Sequence, residues 1–178
     1  MIYLDLGCHD GTTILDFLEG SFGEYDFSKI KIVGVEATPE PFFTQEWTDI
    51  RKQYKNVDFI REAAWTHDGE IVFSQRDKTI SSSVMADKNN FGIGELKKIP
   101  CFDFSSYVLS LNDDVLVRMN IEGAEYPILE QMIKTGAISK VKQLNVETHA
   151  HKMNDYWKKK HNEIFDELDK LGIKYKTV

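Results

Sequence analysis

The chain has 178 residues, 42% of them hydrophobic and 29% charged, and its net charge of −7 arises in residues 1–90, which carry 16 acids and 9 bases. This length and balance predict one soluble globular domain over residues 1–178 and exclude wholesale disorder, collagen and a coiled coil, and no apolar run approaches the ~18 residues of a membrane span. The acidic half would repel a phosphate backbone, so nucleic acid is not an expected partner, and two cysteines without metal-ligand spacing, behind no secretory signal, favour a reducing, cytoplasmic location.

Apolar runs that end at turn residues indicate the strands of the first half of the chain. Strands are predicted at Ile2–Leu6, Lys31–Glu36, Val57–Glu62 and Glu70–Ser74, and helices with one apolar face at Thr12–Glu19 and Pro41–Tyr54. Residues 77–99 have no clear period and contain several Ser, Asn and Gly. They are predicted to form a long loop that lies over a binding cleft.

The second half continues the alternation of strands and helices. Strands are predicted at Val115–Ile121, Val141–Glu147 and Ile173–Val178, and helices at Ala124–Lys134 and Asp155–Leu171. Strands that alternate with helices predict an α/β fold, in which a mostly parallel sheet is covered by helices on both faces.

A glycine loop follows the first predicted strand. It reads Asp5-Leu6-Gly7-Cys8-His9-Asp10-Gly11, and a loop at the carboxyl end of a strand is where open α/β sheets bind ligands. Glu36 ends the second strand, 25 residues after Gly11, where an acid can accept from both hydroxyls of a ribose. The loop matches neither the dinucleotide pattern G-x-G-x-x-G nor a P-loop. Together, loop and acid favour nucleoside binding over a plain tight turn beside a surface acid.

Six segments between about residue 2 and residue 150 carry a family resemblance. They are Asp5-x-Gly7-x-x-x-Gly11; Val35-Glu36-Ala37-Thr38-Pro39, similar to V-E-P-x-P; Ala63-Ala64-Trp65 followed by residues 68–73, similar to A-x-x-x-x-x-G-x-x-x-F; the serines Ser81, Ser82 and Ser83; Arg118-Met119-Asn120-Ile121-Glu122-Gly123-Ala124-Glu125, similar to K-x-D-V-E-G-A-E; and Glu147-x-His149, similar to E-x-H. These segments resemble the FkbM-type methyltransferases, which belong to the class I enzymes that use S-adenosylmethionine.

The resemblance implies a Rossmann-like class I methyltransferase fold. Asn120 stands where that family has Asp, and Arg118 where it has Lys. The family's helical segment ahead of the first motif is lacking, and the residues after the last predicted helix are too few for a complete seven-stranded sheet, so a sheet truncated at its C-terminal end is expected.

The resemblance also assigns a cofactor and its contacts. S-adenosylmethionine would lie with its methionine end and ribose region at Asp5, Gly7 and Gly11 and its ribose hydroxyls at Glu36. The adenine pocket would be lined by three residues at the end of the third predicted strand: Glu62, Ala63 and Ala64. The implied reaction is O-methylation of a hydroxyl on a sugar or other small-molecule or glycan acceptor.

Candidate catalytic residues lie at the ends of the fourth and fifth strands of the implied sheet. Asn120 closes the fourth strand and Glu147 the fifth, and Glu122 lies at the junction between the fourth strand and the next helix. Glu147 and His149 are two apart, so in extended chain they project to the same side. His149 is the candidate general base because its ordinary pKa lies near neutrality. Alternatively, His149 is an ordinary surface residue. Glu122 could likewise have a structural role, in which it binds backbone amides. Glu125 is interpreted as an acid at a helix N-terminus.

Other functions remain open at the level of sequence. Hard oxygen ligands with one imidazole, as at Asn120, Glu122, Glu147 and His149, suit magnesium or manganese, yet no compact ligand motif is present and a metal is not favoured. The main alternative is a nucleoside-binding module without transferase activity. An NAD-dependent oxidoreductase ranks third, because the glycine loop lacks the dinucleotide pattern.

Overall fold

The fold is taken from a computed structural model, which describes residues 1–20, 25–26, 29–38, 44–75, 82–85 and 95–177. Nine strands form in these ranges: β1 (Ile2–Leu6), β2 (Lys31–Val35), β3 (Val57–Ile60), β4 (Ala63–Trp65), β5 (Gly69–Gln75), β6 (Glu95–Asp103), β7 (Val115–Met119), β8 (Val141–Val146) and β9 (Tyr175–Thr177). The helices of the same ranges are α1 (Thr12–Leu18), α2 (Thr44–Gln53), α3 (Phe104–Ser110), α4 (Glu125–Thr135) and α5 (Asp155–Lys170), with short 3₁₀ turns at Ala137–Lys140 and Ala150–Lys152.

The main sheet has six strands in the order β3-β2-β1-β7-β8-β9. All of its neighbouring strands run parallel, so their carboxyl ends meet along one edge. The chain leaves β1 in one direction to build β2 and β3 and later returns to the other side of β1 with β7. This reversal of strand order beside β1 opens a crevice at the carboxyl edge, where such sheets bind ligands.

Alternating side chains of β1 enter two different cores. Tyr3 packs on one side with Ile14 and Phe17 of α1 and with Trp47 of α2. Leu4 and its neighbours on the other face pack against α3, α4 and α5. Because successive side chains of a strand point to opposite faces, a strand buried on both faces reads as the continuous apolar run seen at residues 2–6. The predicted parallel α/β fold with helices on both faces is therefore confirmed.

A second, three-stranded sheet has the order β4-β6-β5. β4 pairs with β6 in parallel, and β5 pairs with β6 antiparallel, with Ile71 opposite Ile99. Among the residues that the structure describes, the buried members of its core are Ala63, Phe73, Ile99 and Cys101.

This second sheet corrects two predictions. The loop predicted over 77–99 is wrong at its end, because Glu95–Ile99 belong to β6; of the rest, only residues 82–85 lie among the described residues. Ala63 and Ala64 do not extend the third strand either. β3 ends at Ile60, and the two alanines form β4 in the smaller sheet.

Most other boundaries agree with the predicted ones to within two residues. The helix predicted from Pro41 begins, in the described part of the chain, at Thr44, since residues 39–43 lie outside it. Nothing was predicted between residues 100 and 114, where α3 forms with Asp103 as N-cap, its carboxylate accepting from the Ser106 amide at 3.0 Å. Among the described residues, no helix has both the length and the apolar character needed to span a membrane.

Candidate active site

A cleft of about 460 Å³ opens at the carboxyl edge of the main sheet. Its walls come from the residues that follow β1, β2 and β7 and from the smaller sheet, and its volume lies in the range of small-molecule sites. Seven of the eleven candidate residues line it: Gly7, Glu36, Glu62, Ala63, Ala64, Asn120 and Glu122. The other four, Asp5, Gly11, Glu147 and His149, lie outside that lining.

The glycines of the first loop are required by packing within the protein. Gly7 has φ +79, and a Cβ there would lie 2.0 Å from the carbonyl oxygen of Asn120. Gly11 has φ +91, and its Cβ would lie 2.6 Å from Ile50 Cδ1. Both positions favour glycine because of positive φ and close neighbours, so the loop can sit tightly between the ends of β1 and β7. Gly7 still borders the cleft, whereas Gly11 closes against α2.

Glu36 is a buried carboxylate at the end of β2, 8% exposed and facing the cleft. Its Oε1 accepts from the amide and hydroxyl of Thr38 at 2.8 and 2.7 Å, and its Oε2 accepts from the His9 amide at 3.0 Å. A carboxylate has about four acceptor directions, so no more than about one is left for a ligand. Glu36 was predicted to accept from both hydroxyls of a ribose. With these protein contacts in place, we expect it to accept from only one of them.

The smaller sheet supplies the opposite wall. Glu62, Ala63 and Ala64 line the cleft where the chain passes from β3 into β4, and Ser82 and Ser83 lie beside them. The Ser83 hydroxyl donates to the Glu122 carbonyl at 2.9 Å, and its backbone pairs with Ser74 of β5. The described part of the predicted covering loop therefore borders the cleft. The sequence predicted that the loop containing these serines lies at the cleft, but no sequence pattern indicated the hydrogen bond between Ser83 and Glu122.

Asp5 lies beneath the cleft rather than in it. Its carboxylate is fully buried, with Oδ1 accepting from Arg118 Nη1 at 2.9 Å and Oδ2 from the Thr13 hydroxyl at 2.5 Å. Burial raises the pKa of Asp5, while Arg118 and Thr13 oppose that rise. Asp5 thus links α1 and β7 to β1. Of the ion pair between Asp5 and Arg118, it is Arg118 that lines the cleft.

The turn from β7 into α4 is held by a second buried acid, Glu125. Its carboxylate accepts from the amides of Ile121 and Gly123 at 2.8 and 2.7 Å, and from His149 Nδ1 at 3.0 Å. The role of binding backbone amides, considered at the sequence level for Glu122, therefore belongs to Glu125, which is also the first residue of α4.

His149 lies behind the cleft, 1% exposed. Its Nδ1 contacts Glu125, and its Nε2 lies 3.3 Å from Glu122 Oε1 and 3.9 Å from Glu147 Oε1. Burial lowers the pKa of His149, but the carboxylates of Glu122 and Glu125 outweigh burial and raise that pKa to about 9. A buried ring that is already protonated at neutral pH does not fit the predicted role of general base.

Glu122 and Glu147 differ in how they are held. Both oxygens of Glu122 accept from Lys152 Nζ, at 3.2 and 3.1 Å, and its side chain is 14% exposed. Glu147 is 43% exposed, and its Oε2 accepts from Asn120 Nδ2 at 2.6 Å. Lys152 was missed because nothing in its local pattern sets it apart.

Among the described residues, no group of three or more His, Cys, Asp or Glu side chains is arranged to hold a metal ion.

Comparison with known proteins agrees with this architecture. No model of a known protein family matches the sequence, and no curated protein matches it either. A solved structure, the methyltransferase FkbM from Methylobacillus flagellatus KT, superposes with a TM-score of 0.56 and 14% sequence identity. The match covers 92% of this chain and 36% of that one, so this chain spans about a third of the length of the protein it resembles. The likeness shows that the two share a Rossmann-like α/β fold.

Proposed function

We propose that the chain is an S-adenosylmethionine-dependent methyltransferase that acts on a hydroxyl of a sugar or other small-molecule or glycan acceptor. The observation that carries this proposal is the buried carboxylate of Glu36, which faces the cleft at the carboxyl end of β2. A ribose hydroxyl is the kind of donor such an acid accepts. The fold shared with an FkbM methyltransferase supports the same reading.

The residues of the cleft fit the proposed cofactor. Glu36 would accept from one ribose hydroxyl, and Ala63 and Ala64 give a small-residue wall beside the partly buried Glu62 where an adenine ring would lie. Gly7 keeps the floor of the cleft free of a side chain between the ends of β1 and β7. Asp5 and Gly11 would act indirectly, by holding the loop and α1 in place.

The chain's contribution to methyl transfer would be alignment, exclusion of water and acceptance of a proton. Bound S-adenosylmethionine supplies a methyl group on a positively charged sulfur, open to attack by an acceptor oxygen. Glu147 is the carboxylate we propose as proton acceptor: it lies outside the lining of the cleft but is 43% exposed, and it accepts at 2.6 Å from Asn120, which does line the cleft. His149 would then act as a buried cation that holds Glu122 and Glu125.

A second candidate function, a nucleoside-binding module without transferase activity, is supported by the contacts of two acids. Glu122 is engaged by Lys152 and His149, and Glu147 by Asn120. If these protein partners keep Glu122 and Glu147 from accepting a proton, the cleft can hold a nucleoside without catalysing transfer.

Calorimetry with S-adenosylmethionine, S-adenosylhomocysteine and NAD tests the cofactor. We expect saturable binding of the first two and none of NAD, whereas binding of NAD alone would contradict the proposal. Transfer of a labelled methyl group to a panel of glycans and small hydroxyl compounds then tests catalysis. Labelled product that is lost in Glu147→Gln, with cofactor affinity unchanged, would support a transferase with Glu147 as base, and tight binding without transfer to any acceptor would favour the binding module.

A further inference from the structure

Arg118 interrupts an otherwise apolar strand, and its side chain reaches the cleft. Its neighbours in β7, Val117 and Met119, are 1% and 0% exposed, whereas the Arg118 side chain is 16% exposed and borders the cleft beside Asn120. Because side chains alternate along a strand, Arg118 and Asn120 share one face. Burying an arginine in a sheet is costly unless it is paired; Arg118 is paired within the protein, and the part of its side chain that borders the cleft is where a ligand can reach it.

The protein holds the arginine from below. Arg118 lies directly opposite Asp5 in the register of β1 and β7, and its Nη1 donates to Asp5 Oδ1 at 2.9 Å. Burial lowers the pKa of Arg118, but Asp5 outweighs burial and raises that pKa, so the side chain stays cationic. A guanidinium has five N–H donors in a rigid fork, and the bond from Nη1 to Asp5 uses one of them.

Arg118 is surrounded by acidic residues in the lining of the cleft. Asp10, Glu36, Glu62 and Glu122 all line the cleft, and among the lining residues that the structure describes Arg118 is the only Lys or Arg. A planar fork fixed by a carboxylate on one edge is suited to bind a second carboxylate on another edge.

We propose that Arg118 binds the carboxylate of the amino-acid arm of the methyl donor. This inference rests on the proposed function, because that function places the ribose at Glu36. β2 and β7 flank β1 on its two sides, so Glu36 and Arg118 are about two strand spacings, roughly 10 Å, apart across the sheet, and the register sets the backbone of Arg118 about two residues deeper in the sheet than that of Glu36. A donor laid across the cleft thus meets an acid at its ribose and an arginine at its amino-acid end, with Gly7 between them.

The test compares S-adenosylmethionine with decarboxylated S-adenosylmethionine, which lacks only the carboxylate. Calorimetry on the wild-type chain should show the decarboxylated compound binding about 10- to 100-fold more weakly, the range of a charge-assisted hydrogen bond. Arg118→Met should weaken S-adenosylmethionine by a similar factor and leave the decarboxylated compound nearly unchanged, so that the two bind alike. Arg51→Met is the matched control, since Arg51 pairs with Asp58 on the exposed surface, and it should keep the full discrimination.

Arg118→Met leaves Asp5 buried without its cation and could unfold the chain. The double variant Asp5→Asn with Arg118→Met removes both charges and is used if thermal unfolding shows the single variant to be unfolded; it should show the same loss of discrimination. Equal wild-type affinity for the two compounds, or a variant that keeps the discrimination, overturns this inference and leaves the proposed function standing. Failure of the wild-type chain to bind either compound overturns both.

Discussion

Glu36 combines two tasks in one carboxylate, because it accepts from the protein and still borders the cleft. Glu36→Gln keeps the shape of the side chain and one acceptor oxygen but removes the charge. We expect S-adenosylhomocysteine to bind roughly 10-fold more weakly, near the lower end of the 1.5–3 kcal/mol expected for a hydrogen bond to a charged group, since no more than about one acceptor direction remains for the ligand.

Calorimetry on a folded Glu36→Gln variant measures this effect. Glu46→Gln, on the exposed side of α2, removes the same charge away from the cleft and should bind like wild type. An unchanged affinity in Glu36→Gln would show that the ribose does not lie at β2.

His149 makes the stability of the fold depend on pH. Its pKa rises from 6.5 to about 9 in the folded chain, so folding favours the protonated ring. The stabilisation is complete below about pH 6.5 and is lost as pH rises through about 9, with a magnitude on the order of 3 kcal/mol. The titratable groups that face the ring or lie beside it are Glu122, Glu125, Glu147, Lys152, Tyr126 and His151.

Urea unfolding at pH 6, 7.5 and 9.5 measures this dependence. The free energy of unfolding of the wild-type chain should fall across this range, and His149→Gln should flatten the fall. His67→Gln, at an exposed turn, serves as the control and should keep the wild-type slope. Equal slopes in His149→Gln and wild type would mean that the ring is not a buried cation.

The loop after β1 and the end of β7 fit together only if residue 7 has no side chain. Gly136, at the end of α4, offers a matched comparison, because its φ of +77 is close to the +79 of Gly7 but nothing lies within 4 Å of its Cβ position. Gly136→Ala should therefore cost only about 1–2 kcal/mol for the left-handed backbone. Gly7→Ala adds the overlap with the Asn120 carbonyl and should cost about 2–5 kcal/mol.

Chemical denaturation of both variants measures the difference in the free energy of unfolding. Equal losses would mean that the ends of β1 and β7 are not packed as closely as this structure has them.

The elements that sequence reasoning found are those with a strong local pattern. β1 and β7 are short apolar runs, and α4 and α5 show an apolar face at helical spacing. β6 was missed because it reads Glu-Leu-Lys-Lys-Ile-Pro-Cys-Phe-Asp and buries only Ile99 and Cys101. Its strand conformation depends on pairing with β5, which no local pattern reports. α3 did carry a signal, since Asp103 three residues ahead of Ser106 is a usual N-cap arrangement.

The candidate site was predictable where strands end and not where side chains from distant elements meet. Glu36 and Asn120 line the cleft as expected, because the ends of parallel strands share one edge. The burial of His149 depends on Glu122 and Glu125 closing over it, which spacing along one strand does not describe. Arg118 was noted only as a departure from the family, although a charge inside an apolar strand was a readable sign of a buried partner.

At the scale of the whole molecule, ligand binding should raise the melting temperature. A ligand at 100 times its Kd stabilises the native state by about 2.7 kcal/mol, which for a chain of this size corresponds to a shift of roughly 5–11 °C. S-adenosylhomocysteine should give this shift in a thermal scan and NAD at the same concentration should give none. The reverse pattern would point to an oxidoreductase.

The central place of β1 has a consequence for how the chain is made. β1 has β2 on one side and β7 on the other, and Asp5 and Arg118, which join β1 to β7, are 113 residues apart. A ribosome adding about 5–20 residues per second needs roughly 6–23 s to produce those residues. During that interval the most buried strand of the sheet has one edge unpaired, open to other chains. The order of the strands therefore leaves this edge of β1 without its native partner until β7 has been made.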